Sequence, residues 1–180
     1  IPIINAGNGI DEHPTQAMAD LYTILKWRPS LAAPNVAESD RIRIGIIGIP
    51  SRMRTVRSLL RILAKFPRMV NEVVVIHAPG IEEEDTLFDP GQQEELLEAG
   101  LSLRCSTDLR SELPELDVVY INAIAWVGDS YEVHGGGFRL TRDLPFKPEA
   151  IVLHPLARGP ELSTCLDDTS HNWYFSQARG

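Results

Sequence analysis

The sequence predicts an α/β domain: a mostly parallel sheet of four to five strands with helices on both faces. Three observations carry that expectation. Short, nearly continuous apolar runs rich in Val and Ile recur along the chain, each bounded by Pro, Gly or Asn, as expected of strands buried on both faces. Segments with apolar residues at helical spacing lie between them, and strands alternating with helices build parallel sheets. The composition, 43% hydrophobic and 23% charged over 180 residues, is that of a globular chain of about one domain rather than a disordered or fibrous one.

The elements follow in order. Pro14 stands where a first helical turn begins, and a helix is expected over 13–28 with Met18, Leu21, Tyr22 and Leu25 as its apolar stripe, ending near Arg28-Pro29. Residues 31–40 read as a linker. Residues 42–49 are the first strand, alternating and then continuously apolar. Val56, Leu59, Leu60 and Leu63 then fall at i, i+3, i+4 and i+7 of a second helix. Strands are expected at 72–78, 117–122 and 150–153, with a weaker one at 101–105. Residues 92–99 form a short acidic helix that Gly100 stops. Between Asn122 and Glu149 the pattern dissolves around Gly135-Gly136-Gly137, and a loop of that length in a compact domain is usually functional or mobile. The sum is a three-layer, Rossmann-like arrangement.

Charge and cysteine usage exclude several functions. Seventeen Lys+Arg against 25 Asp+Glu give a net charge of −8, which opposes binding to nucleic acid or an anionic membrane. Cys105 and Cys165 match no zinc, redox or disulfide spacing, so a reduced, cytoplasmic protein is expected. No apolar run approaches the roughly 18 residues of a membrane span. The five histidines (His13, His77, His134, His154 and His171) show no metal-ligand spacing, and His77 within a strand reads as structural. Gly45-x-x-Gly48 lacks the spacing of a dinucleotide fingerprint or a P-loop, and no Gly-x-Ser-x-Gly elbow or nucleophilic cysteine is evident. Neither a metal nor a cofactor is expected. Beginning at Ile1-Pro2 and ending at Arg179-Gly180, the chain reads as a processed product or a fragment.

A few residues stand apart from the core pattern. His13 and Gln16 lie about 60° apart on the first helix, roughly opposite the Met18 stripe, so they point together away from it. An alternative makes His13 a capping residue and Gln16 an N3 residue that helps satisfy first-turn amides. Arg54 sits just past the first strand, where open α/β sheets collect ligands and a helix N-terminus favours an anion. Alternatively, Arg52, Arg54, Arg57 and Arg61 form a solvated basic face. His154-Pro155-Leu156 follows the last strand directly, so strand ends and one helix start are expected to converge on a crevice.

Asn5-Ala-Gly-Asn-Gly9, His13-Pro-Thr-Gln16 and Asp20-Leu-Tyr-Thr23 together resemble the segment that joins the two domains of aspartate and ornithine carbamoyltransferases. Met53-Arg-Thr-Val-Arg-Ser-Leu59 is similar to the family's Gly-Arg-Thr-Val-x-Ser-Leu, and His154-Pro-Leu-Ala-Arg158 to its His-Pro-Leu-Pro-Arg. The tract 168–178 resembles the one that closes the aspartate branch. The likeness runs through the whole chain in order. It implies an interdomain segment and helix at 1–30, an amino-acid-binding domain at 31–180, and an N-terminal carbamoyl-phosphate domain, with its Ser-Thr-Arg-Thr motif, absent from this chain.

The resemblance implies carbamoyl transfer from carbamoyl phosphate to an amino-acid amine, the route to pyrimidines when the acceptor is aspartate, with a homotrimer as the full-length assembly. It casts His13 as the donor to the developing oxyanion and Gln16 as the group orienting the carbamoyl amide. Arg54 would grip the amino acid's α-carboxylate, and the backbone at Leu156 and Ala157 would position the amine and carbamoyl NH₂. Aspartate-specific members carry Arg and Gln where this chain aligns Ala123 and Ala125, which implies an altered acceptor, with Arg139 or Arg142 as candidate replacement cations. Asn8 also replaces the family's Asp, and Ala157 a Pro. The alternative function is a catalytically silent paralogue serving as a structural or regulatory subunit.

Overall fold

In the computed structural model, residues 5–7, 9, 11–80, 87–123 and 135–179 are described. Five strands, β1 (Ile42–Ile47), β2 (Val70–Ile76), β3 (Leu103–Ser106), β4 (Val118–Ile121) and β5 (Ile151–Leu153), form one sheet in the order β3-β2-β1-β4-β5. Every pairing is parallel, with Ile44 opposite both Val73 and Val118 and Tyr120 opposite Leu153. All residues of β4 and β5 are buried, as are all of β1 except Arg43. Successive side chains point to opposite faces, so continuous burial means that both faces are covered. This is the α/β architecture the apolar runs predict.

Helices α1 (Pro14–Trp27), α2 (Arg54–Leu63), α3 (Gln92–Glu98), α4 (Leu109–Glu112) and α5 (Tyr174–Arg179) complete the described regular structure with several 3₁₀ turns. Helix α3 ends as its sequence predicts. Gly100, at φ 91°, donates to the Leu97 carbonyl and Leu101 to that of Leu96, a Schellman closure that only a left-handed residue permits, with Leu96 and Leu101 both buried beside it.

Two expectations fail. On α1 the buried residues are Ala17, Asp20, Thr23 and Ile24, whereas Met18 and Tyr22 of the expected stripe are 63% and 52% exposed. Polar Asp20 and Thr23 take the core-facing positions because each has a partner there: Thr23 Oγ1 donates to the Ala19 carbonyl, and Asp20 accepts from three side chains described below. Nor is 31–40 a free linker. Pro29–Ala32 and Glu38–Asp40 are 3₁₀ turns, and Leu31 and Val36 are buried in the core.

Asp117 fastens the foot of β4 to three neighbours. Its Oδ1 accepts from Arg28 at 3.1 Å and Lys147 at 2.7 Å, and its Oδ2 from the Arg43 backbone at 2.9 Å. Burial works against this carboxylate, but its donors outweigh that and hold its pKa below the usual range. Arg104, by contrast, bridges Glu72 and Glu112 on the exposed edge strand, where such pairs contribute about 0–1 kcal/mol. Stability therefore resides mainly in the apolar interior, where each fully buried Ile or Val of β1, β2 and β4 contributes about 1.5–3 kcal/mol. Among the described residues no helix is long and apolar enough to cross a membrane.

Gly45, in the middle of β1, is fixed by close approach: a Cβ there would lie 2.3 Å from Cδ1 of Leu116, itself fully buried. Gly45→Ala is expected to destabilise the fold by about 1–3 kcal/mol in urea unfolding, with partial recovery when Leu116→Val is added.

Candidate functional site

The sheet's parallel strands end along one edge, and three of those ends meet the start of α1 around a cavity of about 180 Å³. His13 and Gln16 enter from α1, Arg54 and Thr55 from the segment after β1, Asn122 and Ala123 from the end of β4, and Pro155, Leu156 and Ala157 from the end of β5. The structure thus brings together His13, Gln16, Arg54, Leu156, Ala157 and Ala123. Ala125 lies outside the described residues, as does Asn8. The end of β2 does not join: His77 is buried with its Nδ1 beside the Ala78 carbonyl at 3.0 Å, and it is absent from the lining.

Hydrogen bonding decides between the alternatives for the α1 pair. His13 occupies the N-cap position, but its side chain makes no capping bond; its backbone N–H donates to Ser58 Oγ at 2.9 Å and its carbonyl accepts from Ala17. Ser58 in turn donates to Glu12, which pairs with Arg61. The imidazole caps no backbone N–H, and in the first turn its Nδ1 lies 3.4 Å from the Thr15 hydroxyl. Burial, and then the neighbouring Arg54 guanidinium, lower its pKa, which keeps it neutral at pH 7. Gln16 donates from Nε2 to Asp20 Oδ1 at 2.7 Å rather than satisfying a first-turn amide.

The solvated-basic-face alternative holds for Arg52 and Arg61, which are exposed, but not for Arg57. Arg57 is 8% exposed, pairs with Asp89 at 3.2 Å and donates to the carbonyls of Ser51 and Asp11, so it staples the segment before α1 onto α2. Arg54 donates to the Gly9 carbonyl and lines the cavity. A planar guanidinium there suits a carboxylate or phosphate. Arg139 is exposed and Arg142 donates to the Cys165 carbonyl at 3.0 Å; neither lines the cavity, so the expected replacement cation is not found at Ala123.

Sequence reasoning missed the supports behind the wall. His154 is buried; its Nδ1 accepts from the Leu156 N–H at 2.9 Å, so its Nε2 carries the proton and donates to Glu161 at 2.9 Å. Burial pushes the Glu161 carboxyl up, yet His154 and the Gly159 N–H together bring it below its usual range. This pair shapes the loop in which Leu156 takes a positive φ of 55°. Asn122 donates to Thr55 Oγ1 at 3.1 Å and joins the end of β4 to the start of α2. Asp20, one turn after Gln16, left a trace in the sequence as an i, i+4 pair, and His154 as the head of its motif. Among the described residues no group of three or more His, Cys, Asp or Glu is placed to hold a metal ion.

The His13 imidazole is expected to titrate below its ordinary 6.5 in a proton–nitrogen NMR titration. Arg54→Gln should raise that pKa only part of the way, because burial, the larger cause, remains. An unshifted or elevated His13 would contradict this account of the cavity.

Residues 40–180 match the family model described as aspartate/ornithine carbamoyltransferase, Asp/Orn binding domain, and residues 1–26 match the carbamoyl-P binding domain of the same family. Aspartate carbamoyltransferase catalytic subunits from Vibrio campbellii and Ignicoccus hospitalis are 34% and 36% identical over 99% and 98% of this chain. The chain spans about half the length of these relatives, 54% and 55% respectively. The crystal structure of aspartate transcarbamoylase from Trypanosoma cruzi in complex with carbamoyl phosphate and aspartate superposes with a TM-score of 0.77 at 32% identity, covering 99% of this chain and 54% of that one. Motifs that scatter over the sequence and close on one cavity, a fold that superposes on solved relatives and a family model that spans most of the chain agree: the chain belongs to the aspartate/ornithine carbamoyltransferase family.

Proposed function

We propose that this chain forms the amino-acid side of a carbamoyltransferase, in which residues 1–30 connect to a carbamoyl-phosphate domain and residues 31–180 bind the acceptor amine. In this reading the complete protein works in the cytoplasm as a homotrimer. The observation that carries it is the single cavity shared by His13, Gln16, Arg54 and the Leu156 backbone. In the reaction the amine lone pair attacks the carbamoyl carbon, a tetrahedral intermediate forms, the C–O bond to phosphate breaks with its electron pair leaving on phosphate, and the departing phosphate takes up the proton the amine loses.

Each group has a part that its chemistry suits. A neutral His13 donates a hydrogen bond to the carbonyl oxygen as negative charge develops on it, the kind of contact worth most in the transition state. Gln16 orients the carbamoyl amide through its carbonyl oxygen. Arg54 holds the acceptor's α-carboxylate with two parallel N–H donors, and the carbonyls around Leu156 and Ala157 receive the N–H groups of carbamoyl and amine. No metal or cofactor is called for in this scheme. Ala123 on the cavity wall offers nothing to a second carboxylate, which favours an acceptor other than aspartate, or in the second reading a silent subunit.

The test is steady-state kinetics of the intact protein with carbamoyl phosphate and, in turn, aspartate, ornithine and neutral amino acids. Aspartate is expected to be used poorly, by about tenfold or more for each charge-assisted hydrogen bond of about 1.5–3 kcal/mol that is missing, and Ala123→Arg with Ala125→Gln should improve it. Ordinary saturation by aspartate without gain in the double variant would return the assignment to plain aspartate specificity. No turnover of any acceptor would favour the silent subunit. The isolated 180-residue chain is expected to be inactive in a radiolabelled carbamoyl-transfer assay, since it lacks the Ser-Thr-Arg-Thr phosphate motif; turnover by the purified chain would misplace the phosphate site.

A further inference from the structure

Behind Gln16 lies a carboxylate that contacts no cavity surface. Asp20 is fully buried, and three donors converge on it, one from the preceding turn of α1 and two from distant parts of the chain. Oδ1 accepts from Gln16 Nε2 at 2.7 Å and from Gln177 Nε2 at 2.6 Å, and Oδ2 accepts from Tyr120 Oη at 3.0 Å. Tyr120 lies on β4 and Gln177 on α5.

The two glutamines differ in what fixes them. Gln177 is held at both ends, because its Oε1 accepts from the His154 N–H at 2.8 Å, so its amide group can face Asp20 only with its nitrogen. Gln16 is held at one end by Asp20, and its other end belongs to the cavity wall. An amide has one donor end and one acceptor end. Whichever end the buried partner takes, the cavity receives the other.

We propose that Asp20 is a positioning residue that sets the hydrogen-bond polarity of the cavity: by holding the Gln16 NH₂ it presents the Gln16 carbonyl oxygen to the ligand and thereby selects a carbamoyl group, which carries an NH₂, over an acyl group, which does not. Without the acceptor at Asp20 the Gln16 amide is free to turn, and a donor then faces the ligand's NH₂. Through Gln177 the same carboxylate is tied to the His154 backbone, and His154 holds the Leu156 N–H, so the two walls that meet the carbamoyl group share one anchor. The inference rests on the proposed role of Gln16 and deepens it.

The experiment compares binding of carbamoyl phosphate and of acetyl phosphate, its methyl analogue, to the intact protein by calorimetry. The wild type is expected to prefer carbamoyl phosphate. Asp20→Leu, similar in size but without an acceptor, should reduce that preference by about tenfold or more. Asp20→Asn should keep it within about threefold, because the amide oxygen still serves both glutamines and the Tyr120 hydroxyl, which also meets Thr55, turns to accept from the new NH₂. If Asp20→Leu fails to fold by circular dichroism, Asp20→Ala takes its place. A purely structural role for Asp20 would weaken both ligands alike and leave the ratio unchanged, which would overturn the inference while leaving the proposed function standing. Equal loss of preference in Asp20→Asn would overturn it too, by assigning the effect to charge. A wild type with no preference would overturn the role of Gln16 and the inference with it.

Discussion

Everything that makes a site in this molecule depends on the sheet being wholly parallel. Parallel strands place all their carboxyl ends on one edge, and the chain must leave that edge by a loop each time before it crosses back. Residues separated by more than a hundred positions, His13 and Leu156 among them, therefore open onto one cavity without any local signal that they belong together. The order β3-β2-β1-β4-β5 puts β1 at the centre, flanked by β4 and then β5, and these are the three strands whose ends form the wall.

Apolar burial holds the sheet, but buried polar groups decide how the helices sit on it. Removing a carboxylate from water costs several kcal/mol unless donors surround it. Asp20 and Glu161 answer that cost differently. Around Glu161 the hydrogen bonds win and the carboxyl stays below its usual range, whereas at Asp20 burial wins over the two glutamines and Tyr120, and the pKa is pushed up to about 6. The sign follows: a carboxyl raised in the folded state loses stability as pH rises from its unfolded value of about 3.9 to its folded one, so an ionised Asp20 is tolerated at neutral pH rather than favoured. A leucine at this position of α1 would avoid that expense. What a carboxylate adds is orientation, since it accepts from two amides at once and thereby fixes which end of each faces outward.

Electrostatics inside the cavity is correspondingly lopsided. Arg54 is the cation on its described wall, facing a neutral imidazole, an amide and backbone, with small alanines where a larger side chain would reach inward. One guanidinium suits one carboxylate. Ala123, on the same wall, has no polar atom beyond its backbone. The neighbouring basic residues are already engaged, Arg57 with Asp89 and Arg61 with Glu12, in holding the segment before α1 against α2.

By itself the sequence determined the layers and singled out residues that turn out to line one cavity. Strands buried on both faces write themselves as unbroken Ile and Val runs, Gly100 marks a helix end because no other residue takes its φ freely, and His13, Gln16, Arg54 and the 154–158 turn stand out as short motifs with fixed local spacing. The tertiary structure decided the rest. It turned α1 so that Asp20 and Thr23 face inward and Met18 and Tyr22 outward, against their hydrophobicity, and it buried Arg57 in an otherwise basic run. Hydrophobic periodicity cannot report such choices, because a polar side chain is buried only where its partners are. The partners of Asp20, Tyr120 and Gln177, lie 100 and 157 residues away along the chain.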